Sequence, residues 1–331
     1  MAVSIEDIKK LRAMTGAGLA DVKKALTEAE GDFDKAKELL RERGLAIAAK
    51  RSDRETSNGC VLVKKVNDFA AIIALKCETD FVANGADFIK LTSDILDAAI
   101  AAKAQTLDEV KALKIGDSDA QAAVTQRSGI TGEKMELDGY CVLEGDNIEV
   151  YDHMNKHTLC TMVQLNENNA EAGHKVAMQV AAMRPVALDE SSVSEETKKT
   201  ELEVAVAKTK EELVEKAVNA ALKKAGINPA HVDSEDHIES NTKKGWLTPE
   251  QAEEARNIKK TVGEEKAASL NPTMIQNIAN GRLAKFFKEN CLVDQEFQFG
   301  DGDKQTVAQY LASQSKDLKI TAYKRFTLVA E

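Results

Sequence analysis

The chain has 331 residues, enough for two or three domains that each bury a core of their own. Hydrophobic residues make up 43% and charged residues 30%, with only four prolines, a balance that excludes a disordered chain and points to a largely helical globular protein. A formal charge of −10 repels polyanions over most of the surface, which argues against a direct nucleic-acid ligand.

The first residues, MAVSIEDIKKLR, carry acidic side chains and no long apolar core, so no signal or transit peptide is expected. Ile5, Ile8 and Leu11 recur at helical spacing behind a Ser4/Asp7 cap, and Thr15-Gly16-Ala17-Gly18 stops that helix. Leu19, Val22 and Leu26 mark a second short helix. Gly31 ends it, and Asp32 caps a third that carries Phe33, Ala36, Leu39 and Leu40. These residues predict a three-helix module over 1–44, marginal alone because so small a bundle buries little surface. A mobile linker is expected over 45–58, which includes KRSDRETSN.

Cys60 to Val63, a turn at Asn67-Asp68, and Ala70 to Cys77 read as a β-hairpin. The polar loop ETDFVANGAD follows, then a helix with the apolar stripe Phe88, Leu91, Ile95, Leu96 and Ile100. The same order recurs as Ile148 to Tyr151, a turn near Asn155-Lys156, Leu159 to Leu165, the loop NENNAEAG, and a helix from His174 to Met183. The fold class expected is therefore α+β: two related subdomains with antiparallel strands, 59–140 and 141–190 with 290–331.

Within the second of these lies a helical insertion over 191–289. Leu202, Val206, Leu213 and Ala217 form a narrow seam suited to an antiparallel helical hairpin. Gly226 and Asn228-Pro229 break it, while Thr248-Pro249-Glu250-Gln251 and Asn271-Pro272 each signal a new helix start. Trp246 reads as a hydrophobic staple beside the Thr248 cap. Leu318 to Val329 alternates like a strand returning to the sheet.

The chemistry-bearing residues are sparse. Five cysteines (Cys60, Cys77, Cys141, Cys160 and Cys291) are odd in number and lack C-x-x-C spacing, so neither a disulfide framework nor a zinc site is expected, and a reducing cytoplasm fits. His153 and His157 are interrupted by a turn and lack a third ligand. Gly16 and Gly18 precede no G-K-[ST], so they read as a helix-connecting turn rather than a phosphate loop. No stretch reaches the ~20 apolar residues of a membrane span. No nucleophile with a base, acid pair or cofactor loop emerges, so an enzyme, a cofactor and a bound metal are not expected.

Three segments in order resemble the elongation factor Ts family: LRAMTGAGLADVKKALTEAEGD (Leu11 to Asp32), CETDFVAN (Cys77 to Asn84) and NGRLAKFFKENCL (Asn280 to Leu292). The resemblance implies a ubiquitin-associated-like fold for the amino-terminal module and a guanine nucleotide exchange function. The partner implied is the GTPase elongation factor Tu in its GDP form, whose hold on nucleotide and magnesium is weakened. Positions matching the family's grip on the partner are Lys9, Arg12, Leu19 and Ala20. Those matching its exchange loop are Thr79, Asp80, Phe81 and Val82, with the aromatic ring entering a pocket between partner helices and disturbing the magnesium site. Gln179 stands where many members have His, and Leu19-Ala20 replaces the bulkier Met pair of some members. The competing reading is a ubiquitin-associated-like adaptor without exchange activity, which needs only residues 1–44 and leaves the TDFV segment unexplained.

Overall fold

The structure is a computed structural model that describes residues 3–300 and 304–328. The described chain divides into two compact units. One comprises residues up to Leu188 together with those from Gln295 on, and the other is Asp189–Asp294.

The first unit opens with three helices. Ser4 begins α1 (Ile5–Thr15) through a capping box, its hydroxyl accepting the Asp7 N–H at 3.0 Å while the Asp7 carboxylate reaches back to the Ser4 N–H. Gly16, at φ 67°, ends the helix in the left-handed region. Then follow α2 (Leu19–Glu28) and α3 (Phe33–Ala49), the latter capped by the Asp32 carboxylate. Leu11, Val22, Leu26 and Ala36 are fully buried between the three.

A hairpin of β1 (Asn58–Val66) and β2 (Phe69–Cys77) turns at Asn67, φ 53°. After it come α4 (Asp80–Ala83), α5 (Ala86–Ala102), α6 (Leu107–Ala112), the tiny strands β3 (Lys114–Ile115) and β4 (Ser118–Asp119), α7 (Ala120–Thr131) and β5 (Met135–Glu144). Strand β5 pairs antiparallel with β2, giving the sheet order β1-β2-β5. The TDFV segment, expected as loop, thus contains one short helical turn.

Helix α3 does not stop at Gly44 but continues to Ala49, because it packs along α7. Gly44 sits inside the helix at the point where its backbone approaches that of Gly129. The residues beyond Ala49 are also engaged: Arg54 and Arg51 both reach the Glu78 carboxylate. The stretch expected as a linker from residue 45 therefore starts as helix and ends as a clasp.

A second hairpin, β6 (Ile148–Asp152) with β7 (Leu159–Leu165), leads to α8 (Ala170–Met183). The chain then passes through the second unit, where α9 (Glu195–Lys224), α10 (Glu235–Lys243), α11 (Pro249–Ala268) and α12 (Pro272–Asn290) lie. On return, α13 (Val307–Gln314) and β8 (Ile320–Thr327) complete the first unit, and β8 pairs antiparallel with β7. Val329, the expected end of this strand, lies outside the described residues.

The sheets β1-β2-β5 and β6-β7-β8 bury their inner faces against each other through Val61, Ile72, Ile148, Cys160 and Met162. Strand β2 is apolar along nearly its whole length because both of its faces are covered: Ala70, Ile72 and Ala74 face the second sheet, while Phe69, Ala71, Ile73 and Leu75 pack with Phe88 and Ile95 of α5. Gly139 permits the approach of the two layers, since a Cβ there would lie 2.3 Å from the Phe326 ring.

In the second unit the 30-residue α9 lies against both α11 and α12, so the expected hairpin is reinforced by a third long helix. Leu222, Ile227, Val232 and Ile238 form its core with Leu247 and Ala252. The apolar pair across the α11 start is Leu247 and Ala252, which flank the Thr248 capping box. Trp246 is not that staple. It is 60% exposed, with its ring 5.6 Å from His231 and Lys244 over its face, because Leu247 already fills the position next to the cap. Among the described residues no helix is long and apolar enough to cross a membrane.

Candidate functional site

Phe81 is 87% exposed, although its type belongs in cores. Its neighbours explain how the chain can present it. Thr79 caps α4 by accepting the Val82 N–H on its hydroxyl at 3.3 Å, and the Asn84 side chain donates to the Asp80 carbonyl at 2.8 Å. Val82 and Ala83 turn the other side of the helix into the core beside α5. Four residues therefore hold one side in and one ring out.

The start of α4 is fixed from outside. Thr79 donates its N–H to Glu133 Oε2 at 3.1 Å and its hydroxyl to Glu133 Oε1 at 2.7 Å. The preceding Glu78 carboxylate accepts the Lys134 N–H at 2.6 Å and the Arg54 guanidinium at 2.9 Å. The Lys134 N–H, and after it Arg54, hold the Glu78 carboxyl below the usual carboxylate range. The Cys77 thiol donates to the Thr79 carbonyl at 3.2 Å, and burial pushes that thiol up to about 12. It is a packed side chain rather than a nucleophile.

Beside α4 lies a cavity of about 320 Å³, lined by Ser57, Asn58, Asp80, Ala83, Asn84 and His157 among others. His157 Nδ1 pairs with the Asp152 carboxylate, whose second oxygen takes the His157 N–H, so this histidine is held by β6. Asp80 is exposed at the cavity rim and Phe81 stands next to it.

The other residues singled out in the sequence sit on the amino-terminal helices. Lys9 and Arg12 lie on α1 in one stripe with Ile5, three and four residues apart, and all three are exposed. Leu19 and Ala20 form the first turn of α2 and are exposed as well, Leu19 at 57%. With Met14, the module thus shows water three large apolar side chains beside two cations. These four residues and the four around Phe81 occupy separate elements.

Sequence reasoning missed Glu133 and Glu78. Neither has a local signature, since the Glu133–Thr79 and Glu78–Lys134 bonds each span more than fifty residues. Gln179 is a further surprise. It is fully buried, its amide donating to the Glu296 carbonyl at 3.1 Å and its oxygen accepting the Gln298 N–H at 3.0 Å. It binds this chain's own loop.

The family described as Elongation factor TS matches residues 78–330. Proteins named elongation factor Ts from Bacteroides fragilis and Parabacteroides distasonis are 62% and 60% identical, and one from Porphyromonas gingivalis is 39% identical. In each case the whole of both chains is covered. With similarity of this depth along its full length, the chain belongs to the elongation factor Ts family.

Proposed function

We propose that this chain is a cytoplasmic guanine nucleotide exchange factor for elongation factor Tu, and that it promotes GDP release by distorting the partner's nucleotide and magnesium site. The single observation that carries this reading is Phe81, a stiff apolar ring displayed to water on a helix capped at both ends and anchored at its start. An exposed ring contributes little to folding, so its placement is accounted for by a partner that buries it. Burying it supplies ~1.5–3 kcal/mol, available only in the partner conformation that accepts the ring. In a GTPase, magnesium bridges the phosphate oxygens and offsets their charge, so displacing the elements that hold it weakens the nucleotide.

In this reading Thr79, Asp80 and Val82 present the ring, while Lys9, Arg12, Leu19 and Ala20 grip the partner's nucleotide-binding domain. The module at 1–44 serves as the docking arm, the core at 59–140 and 141–190 with 290–331 carries the exchange helix, and the insertion at 191–289 is peripheral. An adaptor function confined to the first helices would leave the anchored Phe81 without a role.

The test is stopped-flow release of fluorescent GDP from purified elongation factor Tu. The parent chain should accelerate release. Phe81→Ala should leave the melting temperature of the free protein unchanged, while lowering the coupling to nucleotide by ~30–150-fold, the equivalent of ~2–3 kcal/mol. Release by the alanine variant at the parent's rate rejects the wedge.

A further inference from the structure

We propose that Glu133, which lies outside the TDFV segment, is the positioning residue that aims Phe81 at the partner. The inference rests on the exchange reading of the Phe81 helix.

The last rung of the β2–β5 ladder joins Cys77 to Met135. Beyond it the backbones diverge, and two carboxylates take over the pairing. Glu78 accepts the Lys134 N–H, and Glu133 accepts the Thr79 N–H, so each dipeptide offers a side chain to the other's backbone. The sheet is in effect extended by one reciprocal rung, and α4 starts on it.

Glu133 does more than Glu78 for the helix. One of its oxygens holds the Thr79 backbone and the other holds the Thr79 hydroxyl, so a single planar carboxylate fixes both the position and the rotamer of that residue. The hydroxyl has one proton. With that proton committed to Glu133, its lone pairs are left for the Val82 N–H, and the cap of α4 depends on the carboxylate for its orientation. Phe81 stands two residues further, too exposed for packing to hold it.

Glu133 is itself held on its backbone. Its N–H donates to the Thr131 hydroxyl at 3.3 Å, its carbonyl accepts the hydroxyl of buried Ser128, and Gly132 at φ 73° makes the turn between α7 and this residue. The same α7 carries Gly129, on which α3 packs. The docking arm and the Phe81 helix are therefore attached to the two ends of one short stretch, Gly129 to Glu133.

A double-mutant cycle on the full chain tests this, with stopped-flow GDP release from elongation factor Tu as the readout. Glu133→Ala should melt close to the parent and lower the limiting release rate by about tenfold, with a smaller change in the concentration giving half that rate. Glu133→Gln, which can keep a bond to Thr79, should recover part of the loss. With Phe81 already replaced by alanine, removing Glu133 should alter the limiting rate by less than about twofold, because the ring it aims is gone. Additive losses, or a parent-like Glu133→Ala beside an impaired Phe81→Ala, overturn the proposal. A parent-like Phe81→Ala rejects the Phe81 wedge and the proposal with it, whereas a parent chain that leaves GDP release unaccelerated rejects the exchange reading itself. If Glu133→Ala fails to fold, the isosteric glutamine variant carries the cycle with a smaller expected loss, about threefold with Phe81 present and none with Phe81 replaced, and equal effects in the two backgrounds, including no loss in either, overturn the proposal.

Discussion

Gly44 of α3 and Gly129 of α7 meet asymmetrically: a methyl group on Gly129 would stand 2.2 Å from the Gly44 Cα, whereas one on Gly44 would lie 3.5 Å from the Gly129 Cα. The first is a clash with backbone and the second an ordinary contact. Gly129→Ala should therefore push α3 away and cost about 1–3 kcal/mol. Gly44→Ala, lying mid-helix, should be neutral or stabilise by up to about 1 kcal/mol. Thermal melts rank the two, and limited proteolysis after Ala49 reports detachment of the arm. The reverse ranking rejects the close crossing.

Gln179 is predicted to act in folding rather than in partner contact. Gln179→Ala leaves the Gln298 N–H and the Glu296 carbonyl without their buried partner, a loss of about 1–3 kcal/mol. Chemical denaturation should show a lower midpoint, while exchange by the folded fraction stays near the parent's. An unchanged midpoint with impaired exchange would put this residue at the partner surface instead.

Thiol chemistry gives a pH signature. Burial raises Cys60 and Cys77 to about 12 and Cys141 to about 11, so at pH 8 the folded protein should react with iodoacetamide far more slowly than the unfolded chain. These groups stay protonated in the fold while their unfolded counterparts ionise near pH 9. Stability is therefore unaffected below pH 9 and declines above it, by ~1.4 kcal/mol per pH unit for each such thiol, until the folded thiols also ionise. Urea denaturation at pH 8, 9 and 10 measures the slope. Rapid labelling of Cys60 in the native state would contradict its burial.

The Asp189–Asp294 unit has its own core, and expressed alone it should give a helical circular dichroism spectrum with a cooperative melt. Leu222 is at the centre of that core and only 1% exposed, so Leu222→Ala should lower the unit's stability by ~2–5 kcal/mol. A non-cooperative melt of the isolated segment would show that the unit depends on the rest of the chain.

What the sequence made legible follows the range of the interactions involved. The first three helices could be read because Ser4, Gly16 and Asp32 punctuate them within a turn of the apolar residues they delimit. The hairpins could be read because their strands are separated only by a turn. Strand β5 was not read, since Met135 to Glu144 is interrupted by Gly139, and its reason for being a strand is β2, far earlier in the chain. The run of α3 past Gly44 to Ala49 was not legible because α7, along which it packs, comes some eighty residues later. Phe81 stood out only through the family resemblance; pattern alone assigns such a ring to the interior. Arg51 and Arg54 looked like solvated linker charges until Glu78 was placed beside them.

The closing of the second sheet by β8 has a consequence for biosynthesis. The Thr321 hydroxyl meets the Gln164 carbonyl across 157 residues of chain, so β7 keeps one unpaired edge until residues 320–327 have left the ribosome. The helical unit is encoded between these strands and relies on nearby contacts, so it can mature first. During that interval the faces carrying Ile72, Ile148 and Met162 lack part of their cover, which makes the nascent sandwich, rather than the finished protein, the species most vulnerable to aggregation.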